Sequence, residues 1–331
     1  MKNPNILIIG YGSIGNRHHR VLRRLYPNAN IRVLTRKSAE KLEDKTLFFD
    51  NAKDALEFKP DILAITNPAS MHIDTGLNFI DKCKVILIEK PLSINVKESE
   101  RLINKFGDQC NKVMIGYNLR FEKSLEFYRK LIEKEVIGKP LFFECRVGQF
   151  LPTWRNNIDY RDSVSGKNSL GGGVCLELSH EIDYVSWILG KIIWVMADIK
   201  KQSQLEIDVE DTAMIIAGLS LKNNQKEIRG IISLDFIRKE TVREFVVVGE
   251  NGTLKWDGVR KAVDIYEKNS WNTLYINNEE VDAPYMYEWM TLIDAVAGNK
   301  PSPISIAEGY EVMRVVDSIK ESSANGKKIF L

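Results

Sequence analysis

The chain has 331 residues, of which 44% are hydrophobic and 28% are charged, and its formal net charge is +2. This composition is typical of a soluble globular protein, and the length allows two domains. So small a net charge excludes the electrostatic footprint of a protein that binds nucleic acid or a membrane surface. No apolar run approaches the roughly 20 residues of a membrane-spanning helix. The N-terminus leads directly into a strand pattern and the four cysteines are scattered, so we expect no signal peptide, reduced thiols and a cytoplasmic location.

The first strong pattern is a glycine-rich stretch near the N-terminus. An apolar strand at residues 6–9 leads directly into Gly10-Tyr11-Gly12-Ser13-Ile14-Gly15, and a helical pattern follows. In this G-x-G-x-x-G spacing, Gly10 permits a tight turn, Gly12 leaves room for a diphosphate, and Gly15 lets helix and strand pack closely. The N–H groups at the start of the helix, including those of Ser13 and Ile14, would then face the diphosphate. The stretch predicts a dinucleotide site; the alternative is a plain strand-turn-helix.

The end of the second strand bears on the choice of cofactor. An acidic residue about 20 positions after the glycines normally binds the ribose 2′-hydroxyl of NAD. The strand at residues 31–35 ends here in Thr35, and Arg36 and Lys37 follow it, in place of such an acid. A hydroxyl and two cations would accept a 2′-phosphate, so we expect NADP to be favoured over NAD. The alternative is that Arg36 and Lys37 are solvated loop cations.

Strand and helix patterns alternate along the rest of the first 120 residues. Strand patterns fall at residues 47–49, 62–65, 85–88 and 113–115, and helical patterns fall at residues 52–58, 73–82 and 93–105. This alternation predicts a doubly wound parallel sheet with right-handed crossovers. Ligands of such sheets bind at the carboxyl ends of strands. We therefore expect the polar residues that follow these strands to bind the cofactor: Thr66, Asn67, Pro68, His72, Glu89, Lys90 and Asn118.

The pattern changes near residue 122. A helix at residues 122–135 and a strand at 141–149 precede a long loop at 150–170, and three glycines then open a helix at 174–189. Several strand patterns between residues 192 and 276 have connections too short for crossover helices, so their sheet should be largely antiparallel. We divide the chain into a dinucleotide-binding domain, 1–120, and a substrate-binding and oligomerisation domain, 121–331. The exposed face of an open sheet needs a cover, so we expect a homodimer or homotetramer.

Several stretches recur in this order in one known family: 10–15, 66–72, 89–91, 116–121, 171–183, 248–254 and 304–326. The chain resembles the glucose-fructose oxidoreductase and inositol dehydrogenase (Gfo/Idh/MocA) family over essentially its whole length. Glu89-Lys90-Pro91 together with the helix around His180 is the specific pair. The resemblance implies an α/β protein with a Rossmann domain and an α/β domain with an open antiparallel sheet. It also implies NAD(P)-dependent oxidation or reduction of hydroxyl or keto carbons in sugars, nucleotide sugars or cyclitols. Some relatives bind ligands without catalysis, so the alternative is a dinucleotide- and sugar-binding sensor.

Three residues are the catalytic candidates. The resemblance implies that Lys90 hydrogen-bonds the reacting hydroxyl or relays its proton, and that the Lys90–Pro91 bond is cis. Glu177, His180 and Asp183 are three residues apart and share one side of a helix, where an imidazole flanked by carboxylates can act as an acid or base.

The sequence departs from the family beside His180. Many members carry an aspartate four residues before this histidine, where this chain has Leu176. Glu177 could therefore bind substrate hydroxyls, hold Lys90 or only orient the helix. No second histidine stands at ligand spacing from His180, so no metal is expected.

The remaining substrate candidates lie close to the change of pattern and in the long loop. Arg120 follows the last strand of the first domain and is expected to reach the ligands. The loop is rich in aromatic and cationic residues, which stack on sugar faces and bind anionic groups. We interpret it as a lid for a polar substrate, with Trp154, Arg155, Tyr160 and Lys167 in contact with that substrate.

Overall fold

The computed structural model describes residues 1–35, 48–107, 110–155, 159–222 and 226–331. These residues group into two compact units, one of residues 1–118 and 281–313 and the other of residues 119–280 and 314–331. Sequence reasoning places a single division at residue 120, whereas the chain returns to the first unit with residues 281–313. It does so because α8 (Ala283–Ala297) packs against α1 (Ser13–Leu25). The roles assigned to the two domains stay a prediction.

The described residues of the first unit contain a parallel six-stranded sheet with the order β3-β2-β1-β4-β5-β6. Its strands are β1 (Asn5–Ile9), β2 (Asn30–Leu34), β3 (Phe48–Phe49), β4 (Ile62–Ile65), β5 (Val85–Glu89) and β6 (Val113–Gly116). The helices that follow them are α1, α2 (Ala52–Glu57), α3 (His72–Phe79) and α4 (Val96–Phe106). Leu47, the expected first residue of the third strand, lies outside the described residues. This sheet confirms the predicted doubly wound, Rossmann-type fold.

The central strands of this sheet are buried on both faces, as their uninterrupted apolar sequences require. Every residue of β4 and β5 is buried, as are four of the five residues of β1. On α1, the residues that face the sheet are spaced at helical intervals and include Gly15, His18 and Leu22. The turns that leave these buried strands are therefore held in fixed positions at one edge of the sheet.

The second unit contains, within the described residues, a nine-stranded sheet with the order β14-β13-β12-β11-β7-β10-β9-β8-β15. Its strands are β7 (Pro140–Gly148), β8 (Gly190–Lys200), β9 (Thr212–Leu221), β10 (Glu227–Asp235), β11 (Val242–Gly249), β12 (Thr253–Asp257), β13 (Ala262–Glu267), β14 (Ser270–Ile276) and β15 (Ile329–Phe330). Only the β7–β10 pairing is parallel among the pairings of this sheet in the described chain, which confirms the prediction of a mostly antiparallel sheet.

Helices α5 (Lys123–Glu133), α6 (Val174–Glu177) and α7 (His180–Leu189) pack against strands of this sheet, and the residues of α9 (Ile306–Asn325) are shared by the two groups. Large apolar side chains that are more than a third exposed recur on the central strands: Phe142, Met196, Met214, Ile216 and Ile231.

Within the described ranges, none of the helices combines the length and apolar composition that crossing a membrane requires.

Candidate functional site

The glycine loop of the first unit is fixed by close contacts with the end of β4. Gly10 has φ of +93°, which favours glycine, and a Cβ there would lie 2.6 Å from the backbone nitrogen of Asn67. A Cβ on Gly15 would lie 2.2 Å from the carbonyl oxygen of Gly10. The hydroxyl of Thr66 donates to the carbonyl oxygens of Ile9 (3.0 Å) and Gly10 (2.9 Å). Gly10, Gly15 and Thr66 therefore shape the loop.

Gly12 differs from the other two glycines because a Cβ built on it would meet no protein atom within 4 Å. It is the N-cap residue of α1, without a side-chain cap, and no acidic residue follows in the first turn. The N–H groups of such a first turn, which includes Ser13 and Ile14, have no partner within the helix and carry its positive dipole end. Open space in front of an uncapped helix start fits the diphosphate of a dinucleotide.

The turn after β4 supplies a second polar group beside this loop. The side-chain oxygen of Asn67 is buried and has no hydrogen-bond partner within the described residues, while its amide nitrogen donates to the hydroxyl of Thr75 at 2.9 Å. An unsatisfied buried acceptor beside the glycine loop fits a ribose hydroxyl or a carboxamide of the cofactor. Pro68, the next residue, is partly exposed.

His72 lies beneath this turn. Its ring nitrogens are 2.9 Å from the carbonyl oxygen of Pro91 and 2.8 Å from that of Asn67. Burial lowers the pKa of His72, although the two carbonyl oxygens act in the opposite direction. His72 therefore links the turn after β4 to the segment after β5, and a direct contact of His72 with cofactor stays a prediction.

At the end of β2, the backbone nitrogen of Thr35 donates to the carbonyl oxygen of Phe49 at 3.2 Å, which fixes the start of the connection that follows. Arg36 and Lys37 lie outside the described residues, so their part in choosing the cofactor stays a prediction.

The segment Glu89-Lys90-Pro91 begins at the last residue of β5, and its Lys90–Pro91 peptide bond is cis. Glu89 is only 6% exposed, and its carboxylate lies 2.7 Å from Nε2 of His18. Lys90 is partly exposed, whereas Asn118 is buried. The first unit thus brings together the glycine loop, the turn after β4 and the segment after β5. Contacts of Glu89, Lys90 and Asn118 with cofactor stay predictions.

In the second unit, the glycine run before α6 makes room for a carboxylate. Gly173 has φ of +107°, and a Cβ there would lie 2.5 Å from Oε1 of Glu210. That oxygen accepts a hydrogen bond from the backbone nitrogen of Cys175 at 3.2 Å, and so caps the first turn. These glycines therefore support the start of α6.

The continuous helix expected at residues 174–189 is wrong, because α6 ends at Glu177 and α7 begins at His180. The backbone of Leu178 leaves the helical region, with φ of −102° and ψ of 30°. The backbone nitrogens of Ser179 and Glu181 each donate to the carbonyl oxygen three residues earlier, as in a 3-10 turn. Glu177 and His180 are partly exposed, whereas the two residues between them are buried. The break leaves both side chains at the surface of the second unit.

Two buried ion pairs hold α7. Asp183 is 1% exposed and accepts two hydrogen bonds from Arg120, at 3.0 and 2.6 Å. Glu181 is fully buried and accepts from Nε of Arg243 at 2.9 Å. A bidentate arginine–carboxylate pair fixes both partners in orientation. These pairs fix the start of α7, and with it the backbone of His180. The structure places Arg120 in such a pair, so its direct contact with substrate stays a prediction.

The long loop folds into four short 3-10 turns in its described parts, which omit residues 156–158. The indole of Trp154 donates to the carbonyl oxygen of Gln149 at 3.1 Å, which anchors the first of these turns. The loop also forms a small pocket whose lining residues are Leu151, Trp154, Arg155, Tyr160, Ser163 and Ser165. Three of the predicted substrate residues thus come together. Lys167 instead pairs with Asp162 at 3.0 Å, and substrate contacts by all four stay predictions.

Sequence reasoning missed a buried group in the first unit formed by His18, Glu288 and Trp289. His18 lies three residues after Gly15, on the inner face of α1, and this spacing could have indicated that His18 is buried. Its partners lie on α8, some 270 residues later in the chain, and carried no signal of their own. In the described ranges, no group of three or more metal-ligating side chains is arranged to hold an ion.

Comparisons with known proteins agree with this geometry. Residues 4–117 match the family described as "Oxidoreductase family, NAD-binding Rossmann fold", and residues 129–331 match "Oxidoreductase family, C-terminal alpha/beta domain". A Rossmann-type loop that fits a diphosphate, followed by this second domain, defines a nicotinamide-dependent oxidoreductase. The chain belongs to the Gfo/Idh/MocA oxidoreductase family, which confirms the resemblance seen in the sequence.

Individual relatives are distant but cover the whole chain. The chain is 23% identical to myo-inositol 2-dehydrogenase of Thermotoga maritima, over 98% of this chain and 97% of that protein. Among solved structures, levoglucosan dehydrogenase in complex with NADH has a TM-score of 0.83 at 18% identity, covering 99% of each chain. An NAD-binding oxidoreductase from Klebsiella pneumoniae has a TM-score of 0.80 at 19% identity, again over 99% of each chain. At these identities the structural likeness establishes the fold.

Proposed function

We propose that this protein is an NAD(P)-dependent dehydrogenase or reductase. Its substrates are sugars, nucleotide sugars or cyclitols, in which it transfers a hydride to or from a hydroxyl or keto carbon. Family membership supports the reaction class, and the relatives named as inositol and levoglucosan dehydrogenases support the substrate class. The observation that carries the proposal is the open space over Gly12 at the uncapped start of α1.

When bound, the nicotinamide supplies or accepts the hydride. The remaining chemistry concerns the hydroxyl proton, which must leave as a carbinol is oxidised and must return in the reverse direction. In our proposal Lys90 hydrogen-bonds the reacting oxygen and His180 exchanges its proton. An imidazole is suited to this role because its charge changes near neutral pH. Glu177 binds substrate hydroxyls or orients this segment.

The test is a fluorescence screen of NAD(P)H turnover with inositols, simple sugars, anhydrosugars, nucleotide sugars and sugar acids. We expect turnover with at least one member of the panel. Binding of dinucleotide without turnover of any member would contradict the proposal and favour a non-catalytic sensor.

The proton chemistry is tested with Lys90→Met and His180→Gln, both of which keep side-chain length. A positioned general acid or base contributes about 10²- to 10⁴-fold, so kcat should fall by that order while the dinucleotide Kd is retained. Lys84→Met is the matched control, since Lys84 precedes the opposite end of the same strand and pairs with Asp61 on the surface. Near-normal turnover in both variants would reject these assignments.

We further propose that NADPH binds more tightly than NADH, because no carboxylate stands at the end of β2 in Thr35-Arg36-Lys37. One charge-assisted contact to a phosphate is worth about 1.5–3 kcal/mol, or about ten- to a hundredfold in Kd. Arg36→Ala should narrow the difference. Equal affinities, or tighter binding of NADH by the wild type, would reject the preference.

The assembly is proposed to be a homodimer or homotetramer formed through the exposed face of the nine-stranded sheet. Met196, Ile216 and Ile231 lie side by side on neighbouring strands and are 46%, 48% and 41% exposed. Light scattering should show a dimer or tetramer for the wild type and a smaller species for Ile216→Asp. A monomeric wild type would reject the proposed assembly.

We also place the protein in the cytoplasm, since the four cysteines are unpaired in the described residues.

A further inference from the structure

A buried polar group lies in the first unit behind the end of β5. Helix α8 presents Tyr285, Glu288 and Trp289 on one face, at positions i, i+3 and i+4. This face meets His18 of α1 and Glu89 of β5, and His18, Glu288 and Trp289 are each 0% exposed. Groups of this kind are costly to bury unless they are hydrogen-bonded, so their arrangement calls for a role.

The hydrogen bonds have a defined direction. An indole N–H can only donate, so Trp289 donates to Nδ1 of His18 at 2.9 Å, and that nitrogen accepts. The ring proton of neutral His18 is then on Nε2, which donates to Oε1 of Glu89 at 2.7 Å. The other carboxylate oxygen of Glu89 accepts from the backbone nitrogen of Lys90 at 3.1 Å. Hydrogen bonds therefore connect Trp289 to the backbone of Lys90, with His18 and the Lys90 N–H both donating to Glu89.

Glu288 is the remaining acid in this group. Neither of its carboxyl oxygens has a hydrogen-bond partner within the described residues. Burial, and then the negative charge of Glu89, raise the pKa of Glu288 well above its ordinary value. The raised pKa favours the protonated, neutral form of Glu288 in the folded protein.

Other titratable or charged groups also face this cluster. Tyr285 lies on α8, and burial followed by the charge of Glu89 raises its pKa. Arg17 on α1 donates to the Tyr285 hydroxyl at 3.2 Å. His72 on α3 and Lys90 lie near Glu89. The negative charge of Glu89 acts to raise the pKa of His72, against the larger effect of burial. Arg17 and Lys90 are the cations here, and Arg17 also pairs with Asp282 at 3.2 Å.

We propose that Trp289 and His18 are positioning residues for Lys90. They hold the side chain of Glu89 in place as the acceptor for the Lys90 N–H and so fix the backbone from which the Lys90 side chain extends. This inference adds to the proposed function. It rests on that function only in the experiment that measures turnover.

The first experiment reads the tautomer of His18 without any substrate. The chain has four histidines, so nitrogen-15 labelling of histidine gives few NMR signals, and His18→Gln identifies the one of interest. In the wild type we expect the Nε2–H tautomer at His18. Trp289→Phe keeps an aromatic side chain but removes the donor, so the Nδ1 signal should shift to that of a nitrogen without a hydrogen bond, while Glu89 keeps the proton on Nε2. Trp256→Phe is the matched control, since this buried indole donates to Ser124 in the second unit. An Nδ1–H tautomer in the wild type, or a Trp289→Phe spectrum like that of the control, overturns the proposal.

The second experiment reads the backbone of Lys90. Hydrogen exchange of its amide should be faster in Glu89→Gln and Trp289→Phe than in the wild type and in Trp256→Phe. Unchanged exchange in both variants overturns the proposal. If no substrate in the panel is turned over, the proposed function fails, while these two measurements still decide the inference.

With a substrate in hand, the same variants test the effect on turnover. Misplacing a catalytic group by about 1 Å can cost a hundredfold, so kcat should fall about ten- to a hundredfold in Trp289→Phe and Glu89→Gln. The pH profile of kcat should also shift, while in Trp289→Phe the Kd for dinucleotide and KM change little. A parallel loss of cofactor affinity, or an unchanged kcat and pH profile, overturns the positioning role.

Discussion

Substituting Gly12 by alanine should separate cofactor binding from folding. The backbone at Gly12 has φ of −81° and ψ of −164°, which alanine adopts without strain, and the added methyl group would meet no protein atom within 4 Å. The same methyl group would stand where a diphosphate approaches the first turn of α1. We therefore expect Gly12→Ala to fold normally and to bind dinucleotide poorly.

The expected magnitudes differ widely. Replacing glycine by alanine at an N-cap costs less than about 1 kcal/mol, which corresponds to a fall of about 2–4 °C in Tm at most for a domain of this size. Displacing the diphosphate removes at least two charge-assisted hydrogen bonds from backbone N–H groups. At about 1.5 kcal/mol or more for each, the Kd should rise by more than about a hundredfold.

Titration of NADH and NADPH by fluorescence measures the affinity, and thermal unfolding measures the stability. Gly15→Ala is the control, because its methyl group would lie 2.2 Å from a carbonyl oxygen, and it should lose both stability and binding. A folded Gly12→Ala protein whose Kd is within about threefold of the wild type would refute the placement of the diphosphate.

Three further predictions concern charge and the loop. The pKa of Glu288 is raised in the folded protein, so Glu288 destabilises the fold as the pH rises above 4.5, the ordinary pKa of a glutamate. Denaturant unfolding at several pH values measures the free energy of unfolding of Glu288→Gln and of the wild type. The difference in favour of Glu288→Gln should grow by up to about 1.4 kcal/mol per pH unit until the pH reaches the folded pKa of Glu288. A difference that does not change with pH would contradict this prediction. Asp183→Asn leaves Arg120 buried without its counter-charge and should cost about 3–5 kcal/mol in denaturant unfolding, whereas Asp198→Asn, in an exposed pair with Lys200, should change stability by under about 1 kcal/mol. Arg155→Ala should raise KM for substrate and leave the dinucleotide Kd unchanged in a titration; parallel losses would assign the loop to folding or to the nucleotide site.

Much of the fold could be predicted because its signals are local. The buried strands β4 and β5 are apolar up to Glu89 at the end of β5, and the glycine spacing of residues 10–15 marks a turn that few other structures need. The break at Leu178 could not be predicted, because Leu178 and Ser179 are ordinary helix residues by local preference. Buried pairs of Arg120 with Asp183 and of Arg243 with Glu181 accompany the altered path there.

The sequence could name site candidates where each residue follows its own strand, and it gave no indication of partners that come from distant parts of the chain. Glu89 was recognised from its position beside Lys90 and was expected at the cofactor, yet in the structure its carboxylate binds His18. The bond between His18 and Trp289 joins residues 271 positions apart. A single sequence carries no signal for a contact of that separation.

The return of the chain to its first unit has a consequence for how the protein is synthesised. A ribosome that has released residues 1–118 has made every strand of the parallel sheet in the described chain, but not α8. Until residues 283–297 emerge, His18 and Glu89 lack the indole of Trp289, and the part of α1 that packs against α8 lacks its cover. The first unit therefore completes its packing only late in translation, after β7 to β14 of the second sheet have been made. A fragment that stops at residue 120 is accordingly an incomplete domain, prone to capture by chaperones and proteases.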